Sequence, residues 1–135
     1  MKKFTIYCDG ASRGNPGEAG IGFIVLDEQG STVRRVSDYL GKSTNNVAEY
    51  TALIRALQET IKLGGTHVRA YSDSELVVKQ LKGEYRVKNQ GLLPLFQQVA
   101  GLAARFEEFI IEHLPREQNK EADDLANKGI DDVLT

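Results

Sequence analysis

Three strand-patterned runs follow one another before the first helical pattern, and that order excludes folds that alternate strand and helix from the start. The first, Phe4-Thr5-Ile6-Tyr7-Cys8-Asp9, puts Phe4, Ile6 and Cys8 on one face and Thr5, Tyr7 and Asp9 on the other. The second covers about 20–26, Asp27-Glu28-Gln29-Gly30 reads as a hairpin turn, and the third covers about 32–40 with Val33, Val36 and Leu40 as its apolar members. Their close succession predicts an antiparallel meander. Between the first two lie Gly10, Gly14, Asn15, Pro16 and Gly17, read as a loop that begins where Asp9 ends its strand. A glycine-rich loop after a strand could cradle a dinucleotide, but that motif opens a helix whose N-terminus meets the phosphate. Here the glycines lead into Ile21-Gly22-Phe23-Ile24-Val25, another strand, so the dinucleotide reading fails.

Ser43-Thr44-Asn45-Asn46 supplies a cap cluster for a helix over about 47–63, closed by Gly64-Gly65. Its stripe is Val47, Tyr50, Leu53, Ile54, Leu57 and Ile61, and Glu49 stands about 100° off the centre of that stripe, in the first turn. An acid there also offsets the helix dipole, worth at most about 1 kcal/mol. A fourth strand spans 67–72. Ser72 with Glu75 fits a capping box for a second helix over Leu76, Val77, Gln80 and Leu81, which frees Asp73 for another use at the strand's end. Lys79, Lys82, Arg86 and Lys88 surround Tyr85, either as a solvated helix end or as a surface that follows phosphates. A third helix covers about 92–106 and a fifth strand 108–114. The last helix turns Ala122, Leu125, Ala126 and Gly129 inward, with Asp123 at the border of that face and Asp124 toward water. Residues 132–135 are read as frayed.

The pattern predicts an α/β fold: a mixed five-stranded sheet, three antiparallel strands then two parallel, flanked by about four helices, as one domain over 1–135. With the first strand central, Asp9, Glu49, Asp73 and Asp123 can meet at one edge. Four carboxylates cannot share a site of low dielectric unpaired, so some must be protonated or bind cations. There is no histidine or cysteine cluster to suit zinc, and oxygen ligands alone suit Mg2+ or Mn2+. Charge enters here. Seventeen basic and nineteen acidic residues give a net charge of −2, unfavourable for a nucleic-acid binder unless several carboxylates hold divalent ions. The single Cys8 cannot pair within the chain, and no apolar run approaches a membrane span, so a cytoplasmic monomer with no membrane partner is expected.

Asp9-Gly10 with Gly14-Asn15-Pro16-Gly17, Thr44-Asn45-Asn46 with Glu49, Ser72-Asp73-Ser74, and Asn119 with Ala122-Asp123 and Leu125-Ala126 together resemble type 1 ribonuclease H, in order and over nearly the whole chain. The resemblance implies endonucleolytic hydrolysis of the RNA strand of RNA–DNA hybrids, leaving 5′-phosphate and 3′-hydroxyl ends. It implies that Asp9, Glu49, Asp73 and Asp123 ligate two Mg2+ ions, with Mn2+ able to substitute, one activating water and the other stabilising the departing oxygen. It implies that Asn15, Asn45 and Asn46 contact the minor groove and that Thr44 contacts a DNA-strand phosphate.

Two features depart from that family. Many members carry a histidine-bearing loop before the last helix. Here His113 has the matching distance to Asp123 but sits in the strand pattern, and Leu114-Pro115-Arg116 follows. His113 is therefore read as a sheet residue, and Arg116 or Glu117 as the accessory group near the scissile phosphate. His67 is read as structural. A basic arm found in some relatives is also missing, so hybrid binding is expected to rest on Tyr85, Arg86 and Lys88 and to be weak and strongly salt-dependent. The rival reading is a catalytically weak or inactive module that binds nucleic acid on the same fold, and the presence of all four acids argues against it.

Overall fold

The computed structural model describes residues 1–134. In chain order the elements are β1 (Lys3–Gly14), β2 (Gly17–Leu26), β3 (Thr32–Ser43), α1 (Asn45–Lys62), β4 (His67–Ser72), α2 (Glu75–Leu81), α3 (Leu93–Ala103), β5 (Glu108–His113), a single 3₁₀ turn (Arg116–Gln118) and α4 (Lys120–Leu134). They build one five-stranded sheet in the order β3-β2-β1-β4-β5. The β1–β2 and β2–β3 pairs are antiparallel, and β1–β4 and β4–β5 are parallel. The expected sheet is the observed one, with β1 at its centre.

Gly10 and Gly22 fix which helix covers which face. A Cβ built on Gly10 would run into the backbone of Ala48 and Glu49 in α1. One built on Gly22 would lie within 2.6 Å of Ala122, Leu125 and Ala126 atoms in α4. Asp9 pairs with Gly22 across the β1–β2 ladder and so shares its face, one residue from Gly10 on the opposite face. The α1 side holds the main core: Ile6, Cys8, Phe23, Val25, Tyr50, Leu53 and Leu57 are all buried there. The buried side of α1 is wider than the predicted stripe, since Ala48, Glu49, Ala52, Ala56 and Thr60 are buried as well. Small residues let the helix lie close to the sheet, so it presents more of its circumference to the interior. Tyr50 donates to Gln80 Oε1 (2.6 Å), a buried link from α1 to α2, and burial raises the Tyr50 hydroxyl to about 12.

Several expectations are corrected. β1 does not end at Asp9. It runs on to Gly14 because β2 begins at Gly17 and pairs the whole glycine-rich segment, leaving only Asn15-Pro16, joined by a cis bond, as the turn. β3 continues to Ser43 and α3 is shorter than expected. The α2 cap is Ser74, whose hydroxyl accepts from Val77 N–H (3.2 Å), while Ser72 Oγ accepts from Ser74 N–H (3.1 Å), so no Ser72–Glu75 capping box forms. Residues 132–134 are helical rather than frayed, and residue 135 lies outside the described residues. Among the described residues no helix is long and apolar enough to cross a membrane.

Candidate active site

The site forms where the sheet is interrupted. β4 pairs with β1 only as far as Ser72 beside Cys8. The next residues of each strand are Asp9 and Asp73, which emerge side by side as β1 continues with β2 and the chain after β4 turns into α2. The notch beyond Ser72 lets α1 reach from one face and α4 from the other. Asp9, Glu49 and Asp73 each place a carboxylate oxygen within 4.8 Å of the other two. Asp123 lines the same cleft of about 340 Å³, together with Ser12, Arg13, Asn45, Ser74, Arg116 and Asn127.

Asp9 is 5% exposed and Glu49 4%, and among the described residues no Lys, Arg or His side chain forms an ion pair with either. Gly10 lies past the last β4 pair, and its N–H donates to Glu49 Oε1 (2.5 Å) and to Asp9 Oδ1 (3.0 Å). Glu49 Oε2 is buried with no hydrogen-bond partner among the described residues. Burial raises the Asp9 carboxyl far above the usual carboxylate range, with Glu49, Asp73 and Asp123 adding to the rise. Burial also raises Glu49, although hydrogen bonds from Asp9 and Gly10 pull it back. The Cys8 thiol is raised by burial first and then by the field of Glu49, Asp9 and Asp73, which leaves it an inert core group.

This donor set fits a hard divalent cation. It is all oxygen, it is drawn from three separate segments, and it contains a buried carboxylate oxygen that no group among the described residues satisfies. Asp123 stands at the rim, with 23% of its side chain exposed and Arg116 Nη2 3.8 Å from its Oδ1. Asp124 points outward and pairs with Lys120, as its helical position predicts.

The other predicted residues fall into two groups. Asn15 Oδ1 accepts from Asn45 N–H (3.1 Å), which joins the β1–β2 turn to the start of α1. Thr44 is the N-cap of α1, accepting from Val47 N–H (3.2 Å), and Asn46 is half-buried in the first turn. Of these four only Asn45 lines the cleft; Thr44 and Asn46 flank Asn45 in the chain and Asn15 is bonded to its backbone. Tyr85, Arg86 and Lys88 do not line the cleft. They are exposed on the connection between α2 and α3, with Lys79 Nζ 5.0 Å from the Tyr85 ring centre. His113 ends β5 beside Ser72, is exposed and stays out of the cleft, as expected of a sheet residue. His67 Nδ1 meets Thr66 Oγ1 (2.9 Å) and stands 3.9 Å from Glu107 Oε2, outside the cleft.

Two asparagines near the site have roles the sequence did not reveal, although Asn119 belongs to the motif of the resemblance. Asn119 is buried and donates through Nδ2 to the Cys8 carbonyl (2.9 Å), tying the start of α4 to the residue before Asp9. Asn127 donates to Asp123 Oδ1 (3.3 Å). The i, i+4 spacing of Asn127 from Asp123 was the available signal.

A central β1 flanked by antiparallel and parallel neighbours, with acids gathered where β4 stops, defines an RNase H-like fold with a metal-type carboxylate site. The family model described as reverse transcriptase-like matches residues 7–129. The ribonuclease HI of Halobacterium salinarum is 40% identical over 94% of this chain and 64% of its own length, and the ribonuclease H of Chlorobium luteolum is 33% identical over 96% and 97%. A bifunctional protein of Mycobacterium tuberculosis is 45% identical over 96% of the chain, which spans only 36% of that protein. Among solved structures, LC11-RNase H1 isolated from compost is 45% identical with a TM-score of 0.93 over 100% of both chains. The same protein has been solved in complex with an RNA/DNA hybrid (43%, TM-score 0.91, 98% and 99% covered). This chain belongs to the ribonuclease H family.

Proposed function

We propose that residues 1–135 form one catalytic unit that hydrolyses the RNA strand of RNA–DNA hybrids, leaving 5′-phosphate and 3′-hydroxyl ends. The observation that carries this reading is the convergence of Asp9, Glu49 and Asp73 within 4.8 Å, with Asp123 on the same cleft and, among the described residues, no cationic side chain paired with the buried pair. That arrangement is costly for a fold unless divalent cations hold it together. Asp9, Glu49, Asp73 and Asp123 would hold Mg2+, or Mn2+ in its place. The metal, when bound, supplies a water activated for attack and charge stabilisation at the departing 3′-oxygen.

The chain's own residues orient the substrate. Asn45 lines the cleft, with Asn15 bonded to it and Asn46 beside it in the chain, and short amides there can reach 2′-hydroxyls and base edges in a shallow minor groove. Thr44 stands at the N-terminus of α1, a place suited to a DNA-strand phosphate. Arg116 lines the cleft beside Asp123, where its guanidinium can meet the scissile phosphate. Tyr85, Arg86 and Lys88 offer an aromatic face and two cations farther along the duplex.

The test is a labelled hybrid with Mg2+, set beside duplex RNA and duplex DNA. The wild type should cut only the RNA strand of the hybrid. Asp9→Asn should lose cleavage while keeping the wild-type circular dichroism spectrum, and its melting temperature should no longer rise on adding Mg2+. Retained Mg2+-dependent cleavage by Asp9→Asn would refute the assignment.

A further inference from the structure

The three inner acids are set by the sheet and by α1, but Asp123 stands at the rim on the last helix, and something must aim it. Residues 123, 127 and 131 are four apart on α4 and so stack along one side of the helix. Asn127 Nδ2 donates to Asp123 Oδ1 (3.3 Å) and to the Asp123 carbonyl (3.0 Å). Asn127 Oδ1 accepts from Arg13 Nη2 (3.2 Å), and Arg13 Nη1 pairs with Asp131 Oδ1 at 2.6 Å. A guanidinium has only donors, so the amide oxygen must face Arg13 and the amide NH2 the carboxylate. Arg13 comes from the end of β1 near the hairpin turn, so this chain of contacts ties the hairpin to α4. As a source of stability the Arg13–Asp131 pair is weak, because both side chains are largely exposed. Its geometry matters more than its energy.

We propose that Asn127 is a positioning residue for Asp123, braced by Arg13 and Asp131, and that this brace sets how tightly the cleft holds a divalent cation on the Asp123 side. The inference rests on the reading of the four acids as metal ligands. It makes Asn127 and Arg13 outer supports of the kind that orient a ligating carboxylate. The competing use of Arg13, which also lines the cleft, is direct contact with a substrate phosphate.

Titrating the metal-free wild type, Asn127→Ala, Arg13→Ala and the double variant with Mn2+, in the absence of nucleic acid, reads the brace without catalysis. Asn127→Ala should lower Mn2+ affinity about tenfold. It should raise by a similar factor the Mg2+ needed for half-maximal cleavage, with KM for the hybrid unchanged. Arg13→Ala should shift both in the same direction by less, and the double variant should be no worse than Asn127→Ala alone, because both act along one path. Unchanged Mn2+ affinity in both single variants, or additive losses confined to KM, overturns the proposal. Should Asn127→Ala fail to fold, Arg13→Ala on the exposed hairpin carries the same comparison. A wild type that binds Mn2+ with these variant effects yet cuts no hybrid would remove the nuclease reading and leave the brace standing.

Discussion

Asp9 and Glu49 are buried close together, sharing the Gly10 N–H and facing Asp73 and Asp123, so the metal-free protein keeps protons there that the unfolded chain would release. The sign follows from linkage. An acid whose folded pKa is raised contributes its full stability below the unfolded value, about 4, and loses it as pH rises toward the folded value. Glu49 is pushed up to about 7 and Asp9 higher still, so the loss begins near pH 4 and continues through neutrality. Glu49→Gln removes one of these ionisations. In metal-free buffer its stability relative to wild type, measured by urea unfolding, should therefore increase from pH 4 to pH 7. A difference that stays flat across that range would show that Glu49 is not held protonated.

At the level of elements, the contact between β1 and α1 at Gly10 decides whether Glu49 reaches the site. A methyl group there would press on the Ala48 carbonyl and the Glu49 amide, and backbone cannot move aside as a side chain can. Gly10→Ala should destabilise by about 2–3 kcal/mol, as overpacked cores do. Cleavage, assayed well below the unfolding midpoint, should fall further than the unfolded fraction explains, because Glu49 is carried outward with α1. The same contact marks what the chain's pattern revealed and what it hid. The five strands and the four helices were readable because each rests on a local period or cap, as at Thr44 or along Leu53 and Leu57, and the strand order then placed Asp9, Glu49 and Asp73 together. The length of β1 was not, since pairing with β2 overrode the turn signals of Asp9-Gly10 and Gly14-Asn15. The Ser72–Glu75 box failed because Ser74 lies one residue before the helix and takes the cap. The role of Asn119, named only as a motif residue, was hidden for another reason: it lies in reaching the Cys8 carbonyl, a contact 111 residues away along the chain.

For the molecule as a whole, seventeen cations set against nineteen acids leave no basic excess to meet a polyanion. Arg13 and Arg116 are engaged with Asp131 and Asp123 at the cleft, whereas Arg86 and Lys88 lie exposed along the α2–α3 connection. If Lys88 meets a backbone phosphate, Lys88→Ala should reduce the slope of log affinity against log salt by about 1 and leave kcat unchanged. An unaltered slope would move the binding path elsewhere.

The crossing of α4 over β2 carries a further consequence. At Gly20 and Gly22 the strand offers no side chain to the helix, and at Gly129 the helix offers none to the Asp38 backbone of β3. Bare peptide rests on bare peptide, so the thickness of that seam sets how far Asp123 must lean to join its three fellows. A single added carbon would act as a wedge beneath one end of the last helix. The reach of the fourth carboxylate is thus calibrated by atoms that the chain leaves out.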